Sequence, residues 1–272
     1  MMAAALVLAA VTDVAALVAQ GDAHYGRRAE GAVGAHAQPG EVDQAIDSYR
    51  SALAADPGSS LVRARLIRAV FFRTSFSNAP KDVQRRLLRE ARDVADEGLR
   101  RLDVHLGDVK GSARLDALRR EDHAVALHFW AAVAWGQWAL AHGKLAAVRQ
   151  GAAGRVRDLG QIVVELDPAY EQGGGYRILG RLHDQCPRIP FLTGWVSHDR
   201  ARQYLRQALA LGPANTVDQV FLAEAILAHD RANRAEAMRL LEACAQAEPR
   251  PELLVEDAFY IDRARKLLAS SR

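Results

Sequence analysis

The chain has 272 residues with 36 basic and 33 acidic side chains, a formal net charge of +3, half of its residues apolar and a quarter charged. Basic residues are interleaved with acidic ones from Asp22 to Arg265 and form no single block, which argues against a dedicated nucleic-acid binder. Ala, Leu and Arg dominate and β-branched runs are few, so the composition favours an all-α chain. Two cysteines, Cys186 and Cys244, are too few for a disulfide framework and wrongly spaced for a zinc site, and both read as buried small hydrophobes.

Residues 1–19 are apolar apart from Thr12 and Asp13 and admit two readings, an export signal or a first helix. No Lys or Arg precedes the run, Asp13 interrupts it and no lipid-attachment cysteine follows, all of which favour a helix; the length of 1–11 suits the apolar core of a signal. The compartment follows from that choice, cytoplasmic with a helix and periplasmic with a signal. No other segment is apolar over 18 residues, so none is expected to span a membrane.

Helices are predicted over 13–28, 41–55, 60–76, 81–103, 121–141, 144–166, 174–185, 198–211, 216–229, 233–247 and 252–269, with loops over 31–40 and 107–120 and no strand alternation. In the second helix Ala45, Tyr49 and Ala52 share a face, and Asp56-Pro57 ends it because proline lacks the donor and clashes with the preceding turn. Ala201, Leu205, Ala208 and Pro213 repeat those spacings of four, three and five. A further copy is placed at Ala235, 34 residues after Ala201, with its proline, Pro249, two residues late; a longer copy ends at Leu166-Asp167-Pro168. In between, Leu222, Ala223 and Ile226 occupy the packing positions of the first helix of a hairpin. A small residue at the helix crossing, a bulky one in the gap and a proline at the turn resemble the tetratricopeptide repeat (TPR). The expected architecture is an all-α, tetratricopeptide-like hairpin array, an α-solenoid of about five hairpins plus a C-terminal capping helix. It forms one domain over 1–272, with 107–120 as an inserted surface loop or an irregular helical turn.

Local signals support these boundaries. Pro80 stands at a helix start, Ser197 and Asn215 are natural N-caps, and most helices carry one apolar stripe. The helix over 121–141 is the exception, apolar on nearly all faces from Ala124 to Leu140 and holding Phe129, Trp130, Trp135 and Trp138, so it is expected at the centre of the core. The last helix mixes Leu253, Phe259 and Ile261 with Arg263, Arg265 and Lys266, as a cap requires.

Candidate chemistry is sparse. His123 and His128 do not share a helical face, and His183 with Cys186 supplies two metal ligands where a site needs more, so neither a metal nor a cofactor is expected. The glycines at 173–175 follow an Asp-Pro turn where a phosphate cradle needs a strand, and read as close helix packing. No nucleophile elbow or matched cysteine–histidine pair occurs, so no catalytic residue is proposed. The arginines at 85, 86, 89 and 92 alternate with carboxylates at helical spacing and read as a solvated face. The connector over 187–196 is unusual in placing Phe191, Leu192, Trp195 and Val196 between two helices, where they either fold back or contact a partner.

The segment Leu166-Asp167-Pro168-Ala169-Tyr170, the run from Gly173 to Leu182, Pro187, the hairpin opening at Ala201, and the tract 131–143 with Trp135 and Gly143 resemble the T-component family of tripartite ATP-independent periplasmic transporters, best over 121–247. That resemblance implies a helical repeat protein of the bacterial envelope that associates with a substrate-binding P component, and that forms oligomers containing an apolar channel. The lipid-attachment cysteine of a tethered envelope protein is absent here. The primary expectation is a non-catalytic scaffold whose inner helices read a protein partner, with Arg65, Arg68, Tyr176, Arg177 and Arg181 on the groove and Phe191 and Trp195 on the connector. The alternative is a transporter-associated T component channelling an apolar or organic-acid ligand, with a homo-oligomer as its form.

Overall fold

The structure is a computed structural model that describes residues 13–271. Among the described residues there are thirteen α-helices and no strand: α1 (Val14–Gly26), α2 (Pro39–Ala55), α3 (Ser60–Phe76), α4 (Lys81–Leu106), α5 (Gly111–Leu118), α6 (Ala124–His142), α7 (Lys144–Arg149), α8 (Ala152–Leu166), α9 (Gly174–Gln185), α10 (His198–Leu211), α11 (Thr216–His229), α12 (Arg234–Gln246) and α13 (Leu254–Ser270). Asp13, which interrupts the apolar N-terminal run, is the N-cap of α1, its carboxylate accepting from the amides of Ala15 (3.0 Å) and Ala16 (3.2 Å). The alternative reading of 1–20 as an export signal rests largely on residues 1–12, which lie outside the described residues. Ser197 and Asn215 cap α10 and α11 as their positions predict.

Five antiparallel pairs, α1–α2, α3–α4, α6–α8, α9–α10 and α11–α12, stack in chain order, with α13 packed on α11 and α12. Helices α3, α6, α9, α11 and α13 pack on one another in turn and form the inner layer; α2, α4, α8, α10 and α12 form the outer one.

The repeat is more regular than its sequence suggests. Ala45, Tyr49 and Ala52 on α2 and Ala201, Leu205 and Ala208 on α10 are all fully buried. So are Ala237, Leu241 and Cys244 on α12, whereas Ala235 is exposed. The third copy is therefore registered at Ala237, 36 residues after Ala201, and Pro249 then falls at the same offset as Pro57 and Pro213. Val156, Gly160, Val163 and Pro168 on α8 obey the same spacings of four, three and five. On α2 and α10 the bulky middle residue sits against a glycine of the neighbouring helix: a Cβ on Gly21 would lie 2.5 Å from the Tyr49 ring, and one on Gly180 2.6 Å from Leu205. At α8 the roles exchange, and Leu179 fills the space over Gly160.

Two predicted boundaries need correction. The stretch 107–120 is not an inserted loop but holds α5, which buries Leu118 and is bounded by Gly107 (φ 72°) and Gly111 (φ 59°). Leu118 is the one buried residue of its two turns, so its apolar signal is short. The helix predicted over 144–166 breaks at Gln150-Gly151, where Gly151 takes φ 64°, leaving α7 and α8.

Helix α6 is long and apolar enough to cross a membrane, the one such helix among the described residues, which corrects the expectation that no segment beyond the N-terminal run has that character. Packing explains its composition: α3, α4 and α8 surround it, and Leu127, Phe129, Trp130, Trp135 and Trp138 are buried among them. Trp135 donates its indole N–H to Asp96 (2.9 Å).

The terminal helix does more than cap the last hairpin. Val255 of α13 is fully buried in the same core as α2, α3 and α6, and Phe259 meets Phe76 of α3 edge to face with centroids 5.5 Å apart. The inner layer thus closes on itself, α13 touching α3.

Candidate functional site

The inner layer is faced with aromatic rings in edge-on or tilted contact: Tyr25 with Phe72, Phe71 with Trp130, Phe129 with Tyr170, and Phe259 with Tyr260. Burial pushes the Tyr25 hydroxyl up to about 12 despite the nearby Arg68 and Arg28 cations, so the ring stays neutral.

The arginines expected on this face separate into committed and uncommitted ones. Arg65 pairs with Asp22 (2.8 Å). Arg177 and Arg181, one helical turn apart on α9, reach across to α11: Arg177 bonds both oxygens of the fully buried Asp218 (2.7 and 2.9 Å), and Arg181 bonds Asp184 and Glu224 (both 2.9 Å) while lying over the Phe221 ring. Arg263 of α13 reaches Glu224 from the other side (2.6 Å), so α9, α11 and α13 are joined by charge. Tyr176 stacks on Tyr204. Arg68 differs from the others: its guanidinium lies 4.2 Å from the Tyr25 ring centre, its Nε is buried without a hydrogen-bond partner, and it makes no ion pair among the described residues.

The connector between α9 and α10 both folds back and projects. Thr193 is buried, donates to the Pro187 carbonyl (2.6 Å) and accepts from the Ile189 amide (2.8 Å). Val196 is buried, and Trp195 lies edge-on to His183 under the Arg157 guanidinium. Phe191 and Leu192 go the other way. Phe191 takes φ 64° and is fully exposed, and Leu192 is 57 % exposed.

Beside the connector opens a cleft of ≈ 800 Å³ lined by Arg188, Trp195, His198, Arg200, Arg202 and His229. Nothing in the sequence ties His198 to His229, 31 residues apart, yet their rings stack with centroids 3.5 Å apart. His183, behind the cleft, accepts from the Ser197 amide at Nδ1 (3.1 Å), and burial with Arg200 and Arg157 nearby lowers its pKa to about 4. Cys244 is buried as expected, its thiol pushed up to about 11 by burial, but Cys186 is only half-buried. The glycine run does what packing requires: a Cβ on Gly173 would lie 2.8 Å from the Ala208 Cα, and one on Gly174 2.5 Å from Phe129.

Stacked hairpins with paired inner and outer helices, a repeated small–bulky–small–proline register and aromatic inner faces define a helical repeat protein of the tetratricopeptide type. The family model of the TRAP transporter T-component matches residues 75–272, a wider span than the motifs of 121–247, and the chain belongs to that family. Among solved structures, a thermophilic TPR protein of Thermus thermophilus is similar at 16 % identity and a TM-score of 0.53, covering 91 % of this chain and 98 % of that one. MamA (14 % identity, TM-score 0.43, 84 % and 92 % covered) and the TPR2AB-domain:pHSP90 complex of yeast Sti1 (14 %, 0.34, 95 % and 98 %) are also similar, at TM-scores that bear on nothing further. No curated protein matches the sequence.

Proposed function

We propose that this protein is a non-catalytic scaffold of the T-component family that binds a protein partner through the connector between α9 and α10. The observation that carries this reading is the pair Phe191 and Leu192, held out to solvent on a loop whose base is fixed by Thr193 and Val196. An apolar pair presented on an ordered loop has its desolvation to gain from a partner, and little side-chain order to lose. Arg188 and Arg200 rim the adjoining cleft, so the complementary surface is an apolar pocket with an acidic margin. Family membership makes the substrate-binding component of the transporter the partner to test. Phe191→Asp with Leu192→Asp should abolish capture of that component with the thermal midpoint unchanged, and full capture by the double variant sinks the reading.

A second reading, a T component that channels an apolar or organic-acid ligand, is favoured by Arg68. Among the described residues it is a cation without a carboxylate partner on an aromatic wall, suited to an anionic head with an apolar tail. Extraction and mass spectrometry of the purified protein should recover an organic acid that is lost in Arg68→Gln. A ligand-free wild type counts against it.

A further inference from the structure

We infer that Asp184, His198 and His229 form a binding site for a divalent transition-metal ion, Zn²⁺ by its chemistry, at the base of the connector. The three residues come from the end of α9, the start of α10 and the end of α11, and their ligand atoms lie within 4.8 Å of one another. His229 Nε2 stands 3.9 Å from Asp184 Oδ1. The carboxylate is already oriented as a ligand, since Arg181 (2.9 Å) and the Gln185 amide (2.6 Å) both bond Oδ2 and leave Oδ1 turned to the imidazole. Such outer hydrogen bonds fix a ligand and tune it.

Two imidazoles and one carboxylate are a zinc set with an open position for water, and the cleft beside them gives the ion a way in. In a tetrahedral site with bonds of 2.0–2.1 Å, ligand atoms lie roughly 3.4 Å apart, so the set needs only side-chain movement to close. His198 is exposed at the first position of α10, so its ring is free to turn from the stack toward a shared ion. Arg202, which lines the same cleft, is paired with Asp199 and Asp230. A bound ion would tie both ends of the connector, at Asp184 and His198, to the end of α11, and so brace the loop that carries Phe191.

The test is calorimetric titration of Zn²⁺ into the full chain with any purification tag removed, alongside His198→Ala and His229→Ala. Both histidines lie at the surface, and circular dichroism confirms that the variants are folded. The expected result is one zinc per chain, at least tenfold weaker in each variant, with a zinc-dependent rise in thermal midpoint only in the wild type. Failure to bind one equivalent, or equal binding by both variants, overturns the assignment.

Discussion

Arg28, just past the end of α1, donates to Glu256 Oε1 from both Nε (3.0 Å) and Nη2 (2.8 Å), across 228 residues of sequence. Its Nη2 also donates to the Glu252 carbonyl, and its guanidinium lies over the rings of Tyr25 and Phe72. Both partners are nearly buried. Removing one partner of such a pair leaves the other charge without compensation, a loss of about 3–5 kcal/mol. Arg28→Ala should therefore lower stability by an amount at the lower end of that range, measured by urea unfolding. Small-angle scattering should show the maximum dimension increase as α13 separates from α3.

Gly173 takes φ 81°, and its α-carbon faces the backbone of Ala208. Gly173→Ala should cost about 1–2 kcal/mol for the left-handed backbone and about 1–3 kcal/mol for overpacking against atoms that cannot rotate away. Gly151, also at positive φ but with nothing near its missing side chain, should show only the backbone part when changed to Ala. Thermal melts of the two variants compare the contributions directly.

Arg177 and Arg181 look interchangeable in sequence but differ in burial. Asp218, the partner of Arg177, is fully buried, and Arg177→Ala should cost about 3–5 kcal/mol in chemical denaturation by leaving that carboxylate alone. Arg181→Ala leaves Glu224 still paired with Arg263 and Asp184 still bonded by the Gln185 amide, and should cost clearly less. A charge reversal at Arg177 therefore cannot report on partner capture, since it unfolds the site first.

The pH dependence follows from His183. Its pKa falls from 6.5 to about 4 on folding, so between those values the unfolded chain binds the proton and the folded one does not. Stability from this group is intact above pH 6.5 and is lost as the pH falls toward 4, with a limiting slope of about 1.4 kcal/mol per pH unit for one proton. His128, also buried with a lowered pKa, adds in the same direction. Urea midpoints of the wild type should slope downward through this window, and those of His183→Gln less steeply.

The register of α12 gives a further check. Ala237→Leu should destabilise by about 1–3 kcal/mol through overpacking, while Ala235→Leu on the exposed face should stay within about 0.5 kcal/mol. Equal effects in thermal unfolding would return the copy to a 34-residue period.

Periodicity and proline made the array legible: Ala45, Tyr49, Ala52 and Pro57 state in one dimension which face is buried and where the helix stops. The slip of two residues at α12 arose because alanine occupies both 235 and 237, so identity alone could not choose the buried one; the position of Pro249 carried the missing signal. The commitment of Arg177 and Arg181 to α11, and the meeting of Asp184, His198 and His229, depend on how separate hairpins stack, and no local spacing encodes that. The exposure of Phe191 also lies beyond sequence patterning, since an apolar residue in a connector reads the same whether it turns inward or outward.

The contact between α13 and α3 sets the order in which this protein can be completed. Hairpins of an open array find their partners as each leaves the ribosome, but here Phe76 and the core around α3 wait for Val255 and Phe259, which are made long after α3. Until then an aromatic surface stays bare on the nascent chain, a natural place for a chaperone to hold. A chain truncated before α13 would lose a seal at each end of the array with a single cut.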